Sequence, residues 1–169
     1  MQRTTEKPDI SIIMGVYNQY NREQLEEAVN SILDQTFHNF EFIIYDDGSD
    51  ELPASYLKDL EKQDGRIRVI RCENNHGLAF SLNRCIGEAK GKYLARMDAD
   101  DISLPNRLQV EYDFLEEHKE YDWVGCNAKV FDGDDIWGTY KMAEQPNQYN
   151  FLPFSPYIHP SVMFRRALF

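Results

Sequence analysis

From Ile10 to Phe131 the chain alternates short apolar runs with longer amphipathic stretches. Ile10 to Val16 is apolar apart from Ser11 and Gly15, the pattern of a strand covered on both faces. Asn21, with Gln24 three residues on, predicts a capped helix start, and Leu25, Ala28, Val29, Ile32 and Leu33 then repeat at helical spacing to an end near Thr36. Phe40 to Tyr45 predicts a second strand, Pro53 to Gln63 a helix with Tyr56, Leu57 and Leu60 inward, and Ile67 to Cys72 a third strand. Gly77 precedes a helix with Leu78, Leu82 and Ile86 on one face. Tyr93 to Met97 predicts a fourth strand, Pro105 to about His118 a helix with proline in its first turn, and Trp123 to Phe131 a fifth strand. After Asp132 the pattern breaks down, and the proline- and aromatic-rich stretch from Pro146 to Pro160 predicts a loop before a short strand, Ser161 to Phe164. This alternation predicts an α/β fold: a doubly wound, mainly parallel sheet flanked by helices and joined by right-handed crossovers. With 169 residues, no internal repeat and no low-complexity linker, a single domain is expected.

Composition narrows what such a fold can serve. Hydrophobic residues make up 42% of the chain, enough for one core, and 29 acidic against 18 basic side chains leave a formal charge of −11. That charge argues against a nucleic-acid partner or an anionic membrane surface. It also means that a phosphate-bearing ligand needs a metal ion or local cations beside it. Cys72, Cys85 and Cys126 are odd in number and widely spaced, with no Cys-x-x-Cys pair, so neither a disulfide framework nor a zinc site is indicated. Reduced thiols, and first residues that lack the apolar core of a signal peptide, give the expectation of a cytoplasmic protein. No stretch approaches the length of a membrane span.

Two acid clusters fall where strands should hand over to loops. One is Asp46-Asp47-Gly48-Ser49 and the other Asp98-Ala99-Asp100-Asp101. Gathered carboxylates repel one another unless a cation or a hydrogen-bonding ligand lies between them, and open α/β sheets bind ligands outside the carboxyl ends of their parallel strands. Asp98 and Asp100, two positions apart, project the same way on extended backbone and are candidate ligands of a divalent metal. The plainer alternatives are that these acids cap the helix after Pro105, and that Asp-Gly-Ser is ordinary turn chemistry. Arg96, just ahead of the second cluster, either balances a neighbouring Asp or reaches a phosphate or sugar hydroxyl.

Several ordered blocks carry a family resemblance. Ile10-Ser11-Ile12-Ile13-Met14-Gly15-Val16-Tyr17-Asn18, Ser31-Ile32-Leu33-Asp34-Gln35-Thr36-Phe37 and Phe42-Ile43-Ile44-Tyr45-Asp46-Asp47-Gly48-Ser49 resemble the opening blocks of family 2 glycosyltransferases. The likeness continues in order through Asn75-His76-Gly77-Leu78, Asn83, Gly91-Lys92-Tyr93, Asp98-Ala99-Asp100-Asp101 and Pro105-Asn106-Arg107-Leu108, and reaches His159-Pro160-Ser161-Val162-Met163-Phe164-Arg165-Arg166. Gly15 stands where the family more often has proline, a departure expected to alter loop stiffness.

The resemblance implies the GT-A fold and transfer of a hexosyl or N-acetylhexosaminyl group, with inversion, from a UDP-sugar to a glycan or lipid-linked acceptor in polysaccharide or glycoconjugate synthesis. It implies Mn²⁺ or Mg²⁺ held by Asp100, with Asp98 shared between the metal shell and the ribose, Ala99 between them against the nucleotide, and His159 approaching the metal or the pyrophosphate. Asp47 resembles the carboxylate that accepts from uracil N3, where an N–H donor distinguishes the base from cytosine. Asp46 would brace the loop. Val16, Tyr17 and Asn18 would line the base pocket, and Gly77 would let the backbone pass close to the nucleotide. For Tyr17 and His159, plain structural packing is an alternative.

In the resembling enzymes the catalytic base lies after the segment equivalent to Phe164-Arg165-Arg166, so here it is expected beyond Phe169. The sequence therefore leads us to expect a GT-A domain over residues 1–169 that is truncated before its base and acceptor region and inactive in transfer, with peripheral membrane association of the full-length enzyme. Two other readings remain open. One is a nucleotide-sugar-binding module without turnover; the other is a phospho-acceptor receiver domain, which would need a further Asp and a Lys at later strand ends.

Overall fold

The computed structural model describes residues 7–133, 135–147, 149–150 and 155–169. Within these, a six-stranded sheet is built from β1 (Ile10–Val16), β2 (Phe40–Asp47), β3 (Ile67–Cys72), β4 (Tyr93–Arg96), β5 (Trp123–Val124) and β8 (Met163–Arg165), in the order β3-β2-β1-β4-β8-β5. β1, β2, β3 and β4 pair in parallel, while β8 runs antiparallel between β4 and β5. A separate two-stranded antiparallel ladder joins β6 (Ala128–Asp132) to β7 (Asp135–Tyr140).

Four helices cover the sheet: α1 (Arg22–Leu33), α2 (Glu51–Gln63), α3 (Leu78–Glu88) and α4 (Arg107–Glu117). Side-chain alternation along the strands divides the core in two. Ile10, Ile12, Met14, Phe42 and Ile44 pack with Leu25, Val29 and Ile32 of α1, Leu57 and Leu60 of α2 and Leu115 of α4. On the opposite face, Ile13, Ile43, Tyr45 and Leu94 meet Cys85, Leu82 and Ile86 of α3. The strands thus read as continuous apolar runs because both faces are covered.

Several boundaries differ from the sequence-based expectation. α1 closes at Leu33, where the Asp34 N–H already bonds the Asn30 carbonyl. α2 begins at Glu51, two residues before Pro53, which fits proline's tolerance in a first turn. Pro105 lies in a turn ahead of α4, its carbonyl engaged by the Thr36 N–H at 2.8 Å. Gly15 is inside β1, paired with Tyr45, and not in a loop. A Cβ there would stand 3.0 Å from Leu78 Cδ1 and 3.1 Å from Ser81 Cβ, so the residue's small size admits α3 and does not set loop stiffness.

The expected fifth strand, Trp123 to Phe131, is two strands in different sheets. The chain leaves the main sheet after Val124, where the Cys126 N–H turns to the Ser161 hydroxyl at 3.3 Å. Residues 128–132 then pair with 135–140, within a stretch where no strand was expected. The last strand, expected over Ser161 to Phe164, comprises Met163–Arg165, because His159–Ser161 forms a turn of 3₁₀ helix.

Candidate functional site

The order β3-β2-β1-β4 places successive connections on opposite sides of β1, so the crevice at the carboxyl ends of β1 and β4 is the switch point of the sheet. Both acid clusters open there. Topology also separates this sheet from the receiver fold, whose order is 2-1-3-4-5.

The two acids of the first cluster lie within β2, and Gly48-Ser49 follow it. Asp46 is buried and braces the turn: its Oδ1 accepts from the Ser49 N–H at 2.9 Å and its Oδ2 from Arg71 Nη1 at 3.1 Å. Arg71 Nη2 also donates to the Ser49 carbonyl at 2.8 Å. Asp47, next along the strand, is 2% exposed and accepts at Oδ2 from the N–H groups of His76 at 3.0 Å and Gly77 at 2.7 Å. It is therefore the anionic partner of the α3 N-terminus, where backbone donors are unsatisfied within the helix. Oδ1 is the less committed oxygen, with the His76 N–H at 3.1 Å. Gly48 between cluster and turn has φ +79°, and a Cβ there would stand 2.7 Å from the Asn74 carbonyl carbon.

Val16, Tyr17 and Asn18 run from the end of β1 into the crevice. Val16 is buried, whereas Tyr17 is 53% exposed, so core packing does not account for its ring. Asn18 has the left-handed φ of +50°, held by its N–H donating to Ser49 Oγ at 2.9 Å and its Oδ1 accepting from the Asp50 N–H at 2.8 Å. The loops after β1 and β2 are thereby tied together. Gly77 has φ +90° with open space beside it, so the position needs glycine for its backbone conformation.

At the end of β4, the ligand atoms of Asp98, Asp100 and Asp101 all lie within 4.8 Å of one another. These acids precede the first turn of α4 by several residues, and the cap position Asn106 makes no side-chain cap bond. Helix capping does not explain them. Burial raises the Asp101 carboxyl above its ordinary range, and the like charges of Asp98 and Asp100 raise it further. Three hard oxygen donors with mutual repulsion match the donor set of a divalent Mn²⁺ or Mg²⁺. Ala99 between them is half-buried and packs on the core.

Arg96 was expected either to balance an Asp or to reach a ligand, and the structure shows the first. It is 2% exposed, and Nη2 pairs with Asp98 Oδ1 at 2.5 Å. Its Nε and Nη1 are buried without a hydrogen-bond partner. Unpaired buried donors of a charged group are costly, so these two point to a partner that arrives with a ligand. His159 is brought to this end of the sheet by β8, which pairs along β4. It does not join the three-carboxylate cluster. Its imidazole titrates below the ordinary range, first through partial burial and then through Arg96, with Asp98 opposing.

Phe169 is not a residue of this site. Met163 pairs with Ala95 and Arg165 with Tyr93, so β8 runs away from the acids and delivers the residues after it to the amino end of β4. There Phe169 is exposed, its N–H donating to the Arg166 carbonyl at 3.2 Å and its ring edge-on to Phe164 with centroids 6.0 Å apart.

Sequence reasoning passed over the supports beneath the site. Arg107 Nη2 donates to the Arg96 carbonyl at 2.8 Å, and Arg107 Nε to Glu111 Oε1 at 3.2 Å. Both residues are buried, and their four-residue spacing on an otherwise amphipathic helix was the available signal.

The family model described as Glycosyl transferase family 2 matches residues 11–169. A Bacillus subtilis (strain 168) protein provisionally named glycosyltransferase EpsE is 36% identical over 163 residues, covering 96% of this chain and 58% of its own length. The Escherichia coli O-antigen biosynthesis glycosyltransferase WbnJ is 32% identical, covering 93% of this chain and 61% of its own. The chain thus spans about three-fifths of the length of these relatives. Among solved structures, S. aureus TarS 1-349 in complex with UDP-GlcNAc superposes with a TM-score of 0.75 at 22% identity, covering 95% of this chain and 46% of that one. A Pyrobaculum calidifontis mannosyltransferase in complex with GDP-Man and Mn²⁺ gives 0.71 at 19% identity, covering 97% and 46%. At these identities the structures establish a shared fold.

Proposed function

The chain belongs to glycosyl transferase family 2 and has the GT-A fold, and from that premise we propose that it binds the UDP-sugar donor of a sugar transfer in polysaccharide synthesis. The observation that carries this reading is the convergence of three carboxylates, a buried guanidinium with two unpartnered donors and the Asp47 carboxylate at one end of the sheet. Asp98, Asp100 and Asp101 would hold Mn²⁺ or Mg²⁺, which when bound supplies positive charge for the departing diphosphate. In a chain of charge −11 that compensation offsets the repulsion a nucleotide diphosphate meets on approach.

Asp47, fixed by His76 and Gly77, presents Oδ1 to the uracil N3–H. Tyr17 supplies an exposed ring beside the base, with Val16 and Asn18 forming the adjoining wall. Arg96 directs its free donors to oxygens of the donor, and His159 remains neutral at physiological pH as a hydrogen-bonding group near the diphosphate. The names of relatives in teichuronic acid and O-antigen biosynthesis support a glycan acceptor, free or lipid-linked in this reading, and three free thiols support a cytoplasmic setting. Among the described residues no helix is long and apolar enough to cross a membrane.

Calorimetric titration with UDP, with Mn²⁺ and with a chelator, tests the reading. UDP is expected to bind at least about tenfold more tightly with Mn²⁺, and Asp100→Ala to remove most of that gain. Equal affinities in the two conditions would count directly against the site.

A further inference from the structure

The three clustered carboxylates stand on a short segment that electrostatic repulsion alone would spread. What opposes this comes from a residue distant in sequence, just after α1. Gln35 is completely buried and bonds the residues that follow the acids. Its Nε2 donates to the Leu104 carbonyl at 2.8 Å and the Ser31 carbonyl at 2.9 Å, and lies 3.3 Å from Ser103 Oγ and 3.4 Å from the Ser103 carbonyl. Its Oε1 accepts from the Leu108 N–H in the first turn of α4 at 3.0 Å. Two neighbours reinforce the tie: the Ser103 N–H donates to Ser31 Oγ at 3.0 Å, and the Thr36 N–H to the Pro105 carbonyl at 2.8 Å.

The segment is thus anchored on both flanks. Before the acids, the Arg96 carbonyl is held by Arg107 from α4; after them, Ser103 and Leu104 are held by Ser31 and Gln35. Because Gln35 also bonds Leu108, one residue beyond Arg107, it sets the position of the helix end that carries the other anchor. A primary amide suits this task, offering donor and acceptor at once without adding a further charge beside the acids.

We propose that Gln35 is a positioning residue for the acid cluster, holding residues 103–108 so that Asp98, Asp100 and Asp101 form a cation site of fixed size. This rests on the cation reading proposed above. Outer-shell bonds of this kind act on affinity through the geometry of the ligands and not through contact with the ion.

The test uses Gln35→Met, which keeps the side chain's length and removes both hydrogen-bonding functions. Mn²⁺ binding to the nucleotide-free chain is followed by electron paramagnetic resonance, and amide hydrogen exchange is compared between residues 97–104 and strands β1 and β2. The half-saturating Mn²⁺ concentration should rise about tenfold, and exchange should quicken in residues 97–104 while β1 and β2 keep their wild-type protection. Unchanged Mn²⁺ affinity within about twofold, or exchange that quickens equally everywhere, overturns the assignment and leaves Gln35 a general packing residue. Should Gln35→Met fail to fold, Ser31→Ala, which removes the acceptor of the Ser103 N–H together with the hydroxyl's bond to the Ala28 carbonyl within α1, carries the same test with a shift of about threefold. A wild-type chain that binds no Mn²⁺ removes the cation reading and this inference with it. A wild type that binds beside a variant that binds equally overturns the inference alone.

Discussion

Asp46 and Asp47 are neighbours in sequence with opposite tasks. One closes its own turn through Ser49 and Arg71, and the other holds the start of a helix thirty residues away. Asp47→Asn leaves a single acceptor oxygen for His76, Gly77 and the base, and a hydrogen bond to a charged group contributes about 1.5–3 kcal/mol. UDP affinity should therefore fall at least about tenfold by calorimetry, and a loss under about twofold would remove Asp47 from the base pocket. Glu111 provides a pH signature at the same scale. Burial pushes its carboxyl up to about 7 despite the opposing Arg107 charge and the hydrogen bonds of Arg107 and the Cys126 thiol. The folded state therefore holds a proton that the unfolded chain releases near its ordinary value of 4.5, so the stability from this group is present below that pH and lost as pH rises towards about 7. Relative to wild type, Glu111→Gln should gain stability between about pH 4.5 and pH 7 by up to about 3 kcal/mol. Urea denaturation at several pH values measures this, and a gap that does not change with pH would show that Glu111 is ionised throughout.

Two elements owe their ends to residues distant in sequence. Arg165 of β8 donates to the carbonyls of Leu115 at 2.6 Å, His118 at 3.1 Å and Tyr121 at 2.9 Å, so the last carbonyls of α4 find a cation where its final turn has none of its own. Arg165→Met should lower the unfolding free energy by about 2–4 kcal/mol, read from the urea midpoint. At the other end of the sheet, Gly48→Ala forces a Cβ to 2.7 Å from the Asn74 backbone at φ +79°. A cost of about 2 kcal/mol or more is expected, with weakened UDP binding because the loop after β2 must shift.

At the scale of the whole molecule the balance of charge governs encounter with the donor. A chain of charge −11 repels a free nucleotide diphosphate before any contact forms. Without metal, raising salt from about 0.02 M to about 0.2 M should quicken UDP association in stopped-flow measurements, because screening shortens the reach of that repulsion. A slower association would mean that Arg71, Arg96 and their neighbours dominate the local field. The sheet order contributes in a different way: inserting β8 antiparallel between β4 and β5 carries His159 to the same edge as Asp98, though the two are far apart in sequence.

Much of this was legible along the chain. The buried parallel strands, their helices and the two acid clusters are local patterns, set by periodicity and by residue type within a few positions, and the ordered blocks placed Asp47, Asp98 and Asp100 at strand ends. The β6–β7 hairpin escaped the sequence reading, because aromatic and acidic side chains on its exposed faces break the apolar pattern after Asp132. The tertiary structure decided what depends on contacts between distant segments. It directed Asp47 onto the α3 N-terminus, left two donors of Arg96 unpaired, split the expected fifth strand at Gly125 and brought Gln35 to the loop behind the acids. A sequence pattern records which face of an element is apolar, whereas the partner of a buried polar group is chosen only when the packed chain excludes water and the remaining donors and acceptors must find one another.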